Sequence, residues 1–447
     1  MKGLYLHTRD LRSEDNPLLN RAESENDKLA RVFVLNKHQV DNNSYRSNNA
    51  ILFMIECLQE LSIPVYYGDL YEVIDCIFSN NNIDNFYITK DYTPFAKERD
   101  RKLNEISKKY NVTFITDDGY LLVGKKENAM KDDGTFYKKF TPFYNKACET
   151  EVLKPVAYSP TSILKLKGVK KVNLKTYKKK LKFINVSTRL IGGRSKALEI
   201  LRNTNDYKNY QESRDNMGLE RGEGTTNLSP YLKFNVVSPR EVYEKVKNIE
   251  PLARQLYWRD FYMITMDVFG TKEIIDKTEK IKWENNSEKI KSFYEGRTGV
   301  PLIDASIREM LQTGSMHNRG RMNVSSFLIK VLHVDWRIGE KFFSQYLTDI
   351  DYCNNFGGWT WSSSLGYDSQ PYFRIFNPYR QSQNHDPDCK YIRKWIPELN
   401  EVPVKDIHNW EKKYNDYTSK GIYIKPIIEN ISIETKITVK LYETYLK

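Results

Sequence analysis

Five apolar runs of strand length, at 4–7, 31–35, 64–67, 86–89 and 113–116, recur through the amino-terminal part of the chain with helix-length stretches between them. Runs this short, apolar on successive residues, belong to strands buried on both faces. Each is followed by enough chain for a crossover helix, and that combination leads to a parallel sheet with helices on both sides. The expectation is an α/β domain over 1–147, Rossmann-like, with five parallel strands. No GxGxxG follows the first run, so the dinucleotide fingerprint is missing. A nucleotide-type ligand could still sit at the carboxyl ends of the strands, where open α/β sheets bind ligands.

After Phe143 this alternation fades. Residues 152–198 hold 13 Lys or Arg and no acid, more than the whole net charge of +12. The stretch 148–194 therefore reads as a solvated, lysine-rich interdomain linker. A basic chain favours an anionic partner such as nucleic acid, and with the linker set aside any footprint must be a local patch. From 195 to 447 the pattern is helical almost throughout. All seven tryptophans fall between Trp258 and Trp410, inside this expected all-α domain. Core packing explains each singly, since large aromatics are common core residues.

Several classes are disfavoured at once. The five cysteines are scattered with no CxxC, and the six histidines are never spaced as metal ligands, so neither a zinc site nor a disulfide framework is expected. No apolar run approaches the roughly 20 residues of a membrane span, and the first residues do not read as a signal peptide. The expectation is a protein of the cytoplasm or nucleus, with no membrane partner, acting as a monomer through an organic cofactor.

Four segments gather polar groups, two of them beside aromatics. Thr225-Thr226-Asn227-Leu228-Ser229-Pro230 reads as a helix start with Ser229 as N-cap and Pro230 at the first helical position, a geometry that can hold phosphate. Helical spacing puts Gln255, Trp258, Arg259 and Tyr262 on one face, able to stack on a base and contact a phosphate, or alternatively to form an amphipathic core helix. Asn318, Arg321 and Met322 share another face. Farther on, Asp349, Asp351, Asn354 and Asn355 precede Trp359 and Trp361, and Arg321 is a plausible partner for Asp349.

The runs TTNLSPYLKF, QLYWRDFY, EGRTGVPLIDASIREMLQTGSMHNRGRM, DWRIGEKFF, DIDYCNNFGGWTW and PYFRIFNP, with HTRDLRSEDNP near the amino terminus, resemble the DNA photolyase and cryptochrome family in order and spacing, most closely its class I cyclobutane-dimer enzymes. The resemblance implies FAD, folded in a U inside the helical domain. Tyr210 and Thr225, Thr226, Asn227, Leu228 and Ser229 would hold its phosphates and ribityl chain, and Arg321 and Asp349 would pair against the flavin. Asp351 would lie near the adenine side. Asn355 would face flavin N5, where plant cryptochromes typically carry Asp and animal ones Cys.

On the substrate side the resemblance implies damaged DNA. Trp258 and Trp361 would pack on a flipped-out dimer, Asn318 and Met322 would line its pocket, and Arg214, Arg259 and Arg319 would hold the backbone around it. Gln255 would contact a base edge. Enzymes of the family that repair the (6-4) photoproduct carry histidines at the positions of Asn318 and Met322, so the expected substrate is the cyclobutane pyrimidine dimer. Photoexcited FADH⁻ would donate an electron to the dimer and recover it after the ring splits. Trp283, Trp336 and Trp359 match the family's electron-transfer triad. The chain departs from the pattern at Gln255, where class I members usually have Glu, and at Ala96, where folate-binding relatives carry Glu. A folate antenna is therefore not favoured, and a deazaflavin, a second flavin or no antenna stay open. The alternatives are a cryptochrome-like blue-light receptor and a photolyase relative acting on (6-4) lesions or preferring single strands.

Overall fold

A computed structural model describes residues 1–181, 189–220 and 222–446. Its amino-terminal part is built on β1 (Lys2–His7), β2 (Lys28–Asn36), β3 (Val65–Gly68), β4 (Asn85–Thr89) and β5 (Thr113–Asp117), all parallel, in the order β3-β2-β1-β4-β5. Side-chain alternation sorts the two faces. Leu4, Leu6, Val32, Val34, Phe86 and Ile88 pack with the helices Leu70–Asn80 and Pro94–Lys109. Tyr5 and Tyr87 pack on the opposite face with the helix Pro17–Glu25. Because both faces are covered, the strands read as continuous apolar runs.

The basic stretch is not simply a solvated linker. A sixth strand, β6 (Ser162–Ile163), pairs in parallel with the start of β2, and Lys171 bridges Tyr66. Leu164, Leu166 and Val169 pack against the sheet's apolar cluster, while Lys165 between them is exposed. This is a period-2 pattern that the lysine density hid. Lys178 and Arg189 both bond Glu56, 3.1 and 2.7 Å away. Residues 182–188 of the expected linker lie outside the described residues.

From Arg194 the chain is helical. The long helix Glu250–Phe269 crosses this half and meets the helices Phe140–Ala147 and Tyr352–Ser362. The two halves share one apolar cluster, in which Phe53 stacks on Phe234 and meets Tyr231 edge-on. Buried polar contacts reinforce that boundary. Arg240 bonds the Asp15 carboxylate at 2.9 Å, Leu11 N donates to Phe234 O, and Val123 N donates to Asp260 Oδ2. Buried ion pairs of this kind fix a geometry more than they add stability, so they set how the sheet meets the helices. Among the described residues no helix is long and apolar enough to cross a membrane.

Candidate active site

A cavity of about 1040 Å³ opens in the helical half, walled by the 224–229 loop, the long helix, the helix Asn318–Lys330 and the helix Tyr352–Ser362. The loop is shaped by its own polar side chains. Thr226 Oγ1 accepts from Leu228 N, and Asn227 sits at φ 54°, its amide donating to Thr225 O. Asparagine tolerates that left-handed conformation better than most residues. Ser229 differs from its expected N-cap role. The cap is Leu228, the helix Ser229–Lys233 has only five residues, and Ser229 Oγ donates instead to Asp349 Oδ2 at 2.7 Å. The Ser229 hydroxyl thus ties the loop to a carboxylate and does not cap the helix.

Arg321 Nη2 reaches both oxygens of Asp349, at 2.9 and 3.1 Å, and its Nε donates to Met316 O, so the guanidinium is held in one plane. Asp351 caps its helix by accepting from Asn354 N and receives Arg9 Nη2 at 2.6 Å. Burial alone would raise its pKa, but the cations Arg9 and Lys233 and the Asn354 bonds outweigh burial and hold the carboxyl well below the usual range. Arg9 comes from just beyond β1, so the α/β half reaches Asp351, a residue of the cavity wall, from behind.

Asn355 lines the cavity with its amide oriented. Its Nδ2 is within bonding distance of Glu340 O, Glu340 Oε1 and Ser344 Oγ, at 3.1, 3.0 and 3.2 Å. All three contacts fall on the nitrogen, which leaves Oδ1 as the end available to the cavity. Glu340 itself is buried, and burial pushes its carboxyl up to about 7 despite the Asn355 bond.

Trp258 and Trp361 both face this cavity, as do Asn318 and Met322, whose amide and sulfur lie 3.6 Å apart. Gln255 lines it too, donating to Pro251 O at 2.9 Å. Tyr210 and Arg214 stand at its edge, the guanidinium 5.8 Å over the ring. Arg319 pairs with Asp215, which lines the cavity. Arg259 departs from the outward, backbone-holding position expected of it. It is buried, donates to Tyr120 O and lies beside Asp260, because at that turn the long helix packs against the α/β half.

Of the three tryptophans expected to carry electrons, Trp359 and Trp336 are buried and Trp283 is partly exposed. Trp359 lines the cavity and lies over Gly339, where an added Cβ would be 2.1 Å from the ring. Only glycine admits the indole there. One turn earlier in that helix is Trp336, its Nε1 donating to Thr278 Oγ1 at 2.9 Å. Trp283, partly exposed, donates to the carbonyl of the same Thr278 at 3.2 Å.

Arg9, Lys233, Glu340 and Phe140 were not picked out from the sequence. Lys233 stands inside the apolar run Tyr231-Leu232-Lys233-Phe234, and Arg9 and Glu340 lie within HTRDLRSEDNP and DWRIGEKFF, runs that resemble the family; Phe140 is recognisable only from contacts distant in sequence.

Comparison with known proteins follows the same division of the chain. A model described as DNA photolyase matches residues 3–161, and one described as the FAD binding domain of DNA photolyase matches 252–443. A deoxyribodipyrimidine photo-lyase of Vibrio cholerae is 30% identical over 98% of both chains. The chain belongs to the DNA photolyase and cryptochrome family. Among solved structures, the photolyase of Sulfolobus tokodaii, determined with two FAD molecules, superposes with a TM-score of 0.88 at 34% identity, covering 99% of this chain and 100% of that one. The cryptochrome of Synechocystis shares the fold, with a TM-score of 0.89 at 24% identity over 98% and 99% of the chains.

The cavity of this family member suits FAD on its own observations. Lys233 lines it and, among the described residues, makes no ion pair with a carboxylate; burial and Arg9 depress its pKa. On the same wall Arg321, held by Asp349, offers a fixed cation, and Asn355 leaves its Oδ1 toward the cavity. A cation without a paired carboxylate, a fixed guanidinium and a free amide oxygen suit the phosphates and ring edge of a dinucleotide.

Proposed function

We propose that the chain repairs cyclobutane pyrimidine dimers in DNA using light. The observation that supports this most is the partition of one cavity: an oriented Asn355 and the Arg321–Asp349 pair on one side, and Trp258, Trp361, Asn318 and Met322 on the other. When bound, reduced FAD supplies a photoexcitable one-electron donor, and the electron taken up by the dimer returns after the cyclobutane ring opens, with no net redox change.

The residues then have separable tasks. Tyr210, Thr225, Thr226, Asn227, Leu228, Ser229, Lys233, Arg321, Asp349 and Asp351 would hold the dinucleotide. Asn355 would present Oδ1 to the flavin ring edge. Trp258 and Trp361 would offer flat apolar faces to extruded bases, whose unstacking costs only a few kcal/mol at a damaged pair. Gln255, Asn318 and Met322 would border them, with Arg214 and Arg319 near the DNA backbone. Trp283, Trp336 and Trp359 would pass electrons inward to an oxidised cofactor. We assign 1–147 to the α/β domain, 148–194 to the connection and 195–447 to the catalytic domain.

Neither Asn318 nor Met322 can act as the acid that histidines at those positions provide, which favours cyclobutane over (6-4) lesions. Illumination of the purified, reduced protein with oligonucleotides carrying one or other lesion tests this. Light-dependent loss of the cyclobutane dimer alone is expected. Loss of the (6-4) lesion alone, or of neither, rejects the proposal.

A further inference from the structure

We propose that Phe140, from the helix that follows the α/β sheet, is a positioning residue for Trp258 and sets the plane on which a flipped base is received. This rests on the lesion-site reading of Trp258 given above.

The two rings lie face to face, with centroids 3.6 Å apart and planes within 6°. Aromatic pairs usually settle offset or edge-on, so a contact this close and parallel is held by its surroundings. It also closes one face of the indole: nothing can stack where Phe140 lies, and Trp258 meets the cavity with what is left. Neighbours fix the remaining freedom. Phe261 meets both rings edge-on at 5.8 Å, and Tyr262 lies 5.7 Å from Trp258. Behind Phe140, Tyr144 stacks at 5.7 Å, with the Arg254 guanidinium 5.4 Å from the Phe140 ring.

Phe140 is anchored in turn by the segment carrying the other lesion-facing tryptophan. The helix Phe140–Ala147 has no side-chain cap of its own. Phe140 N donates instead to Asp368 Oδ1 at 3.2 Å, and Asp368 N donates back to Lys138 O at 3.0 Å. Asp368 follows the helix Tyr352–Ser362, which bears Trp361. One pair of hydrogen bonds therefore ties the backing of Trp258 to the element that holds Trp361, so the two indoles keep a common register.

The experiment uses the FAD-loaded full chain with Phe140→Leu, which fills the space without a flat face, Phe140→Tyr, which keeps the face, and Trp258→Ala. Steady-state repair of a cyclobutane dimer under constant light gives KM and kcat, and dark binding of undamaged DNA is the control. Loss of base stacking in Trp258→Ala is expected to raise KM about tenfold or more. Phe140→Leu is expected to raise it about threefold to fivefold, a part of that stacking effect, with kcat within about twofold, undamaged-DNA affinity unchanged, and Phe140→Tyr close to the parent. In the Trp258→Ala background, Phe140→Leu should add nothing, the mark of residues acting as one unit. If Trp258→Ala raises KM and Phe140→Leu does not, the positioning role is wrong while the lesion-site reading stands. If Trp258→Ala itself leaves KM unchanged, that reading fails and this proposal with it. A fall in kcat and flavin content in both Phe140 variants would mark a merely structural residue and overturn the proposal.

Discussion

At Asn355 the amide has three acceptors crowded on its nitrogen and none on its oxygen, and the residue that does most to arrange this is Glu340. Burial holds its carboxyl neutral against the opposing Asn355 bond, up to about pH 7. The same group in an unfolded chain ionises near 4.3. A folded pKa above the unfolded one means that stability from the neutral form is complete below the unfolded value and is lost as pH rises through about 7. Glu340→Gln keeps an oxygen for Asn355 and cannot ionise. It is expected to be about 2 kcal/mol more stable than the parent at pH 8.5 and within about 0.5 kcal/mol at pH 5. Thermal unfolding at both pH values checks this, and an equal difference at both would mean that Glu340 is not the titrating group.

At the scale of elements, the helices Trp336–Tyr346 and Tyr352–Ser362 cross where Gly339 admits the Trp359 ring, and Thr278 gathers Trp336 and Trp283 from the far side. Trp336→Phe keeps a flat ring in the core but removes the readily oxidised indole and one buried hydrogen bond, at a cost of about 1 kcal/mol. Light-driven reduction of the oxidised cofactor is expected to stop, while repair by chemically reduced protein persists. Loss of both, followed by flavin absorbance and by dimer repair, would tell against an electron path here. These elements also mark what could be read in the sequence. The strands were legible because burial on both faces leaves an apolar run. β6 was not, since the lysines that follow it, Lys165 and Lys167, hid the alternation with Leu164 and Leu166. Ser229 was misplaced because a Ser-Pro pair signals a cap locally, whereas the carboxylate that claims its hydroxyl lies 120 residues away. Arg259 was misplaced for a similar reason: periodicity gives a shared face but not which neighbour covers it. The parallel contact of Phe140 and Trp258 joins elements that no local pattern connects.

For the whole molecule, the question is which of its many cations meet DNA. The net charge of +12 is outweighed by the 13 basic residues of 152–198, yet where that stretch is described it folds back onto the α/β sheet, with Lys178 and Arg189 already paired to Glu56. The candidate lesion site opens instead in the helical half, where Arg214 stands at the cavity edge, partly exposed. Phosphate neutralisation sets the salt dependence of DNA binding, each contact contributing a slope of about 0.9 in log K against log salt for duplex DNA. If the cavity mouth is the footprint, removing Arg214 takes away one such contact, and neutralising the sheet-side lysines takes away none. Arg214→Ala is therefore expected to reduce the slope for dimer-containing duplex by about 0.9, whereas replacing Lys165, Lys167 and Lys170 together by Gln should leave it unchanged although net charge falls by three. Binding titrations between low and moderate salt distinguish the two. A slope that follows net charge, dropping with the three lysines and not with Arg214, would place the DNA on the sheet side and separate it from the cavity.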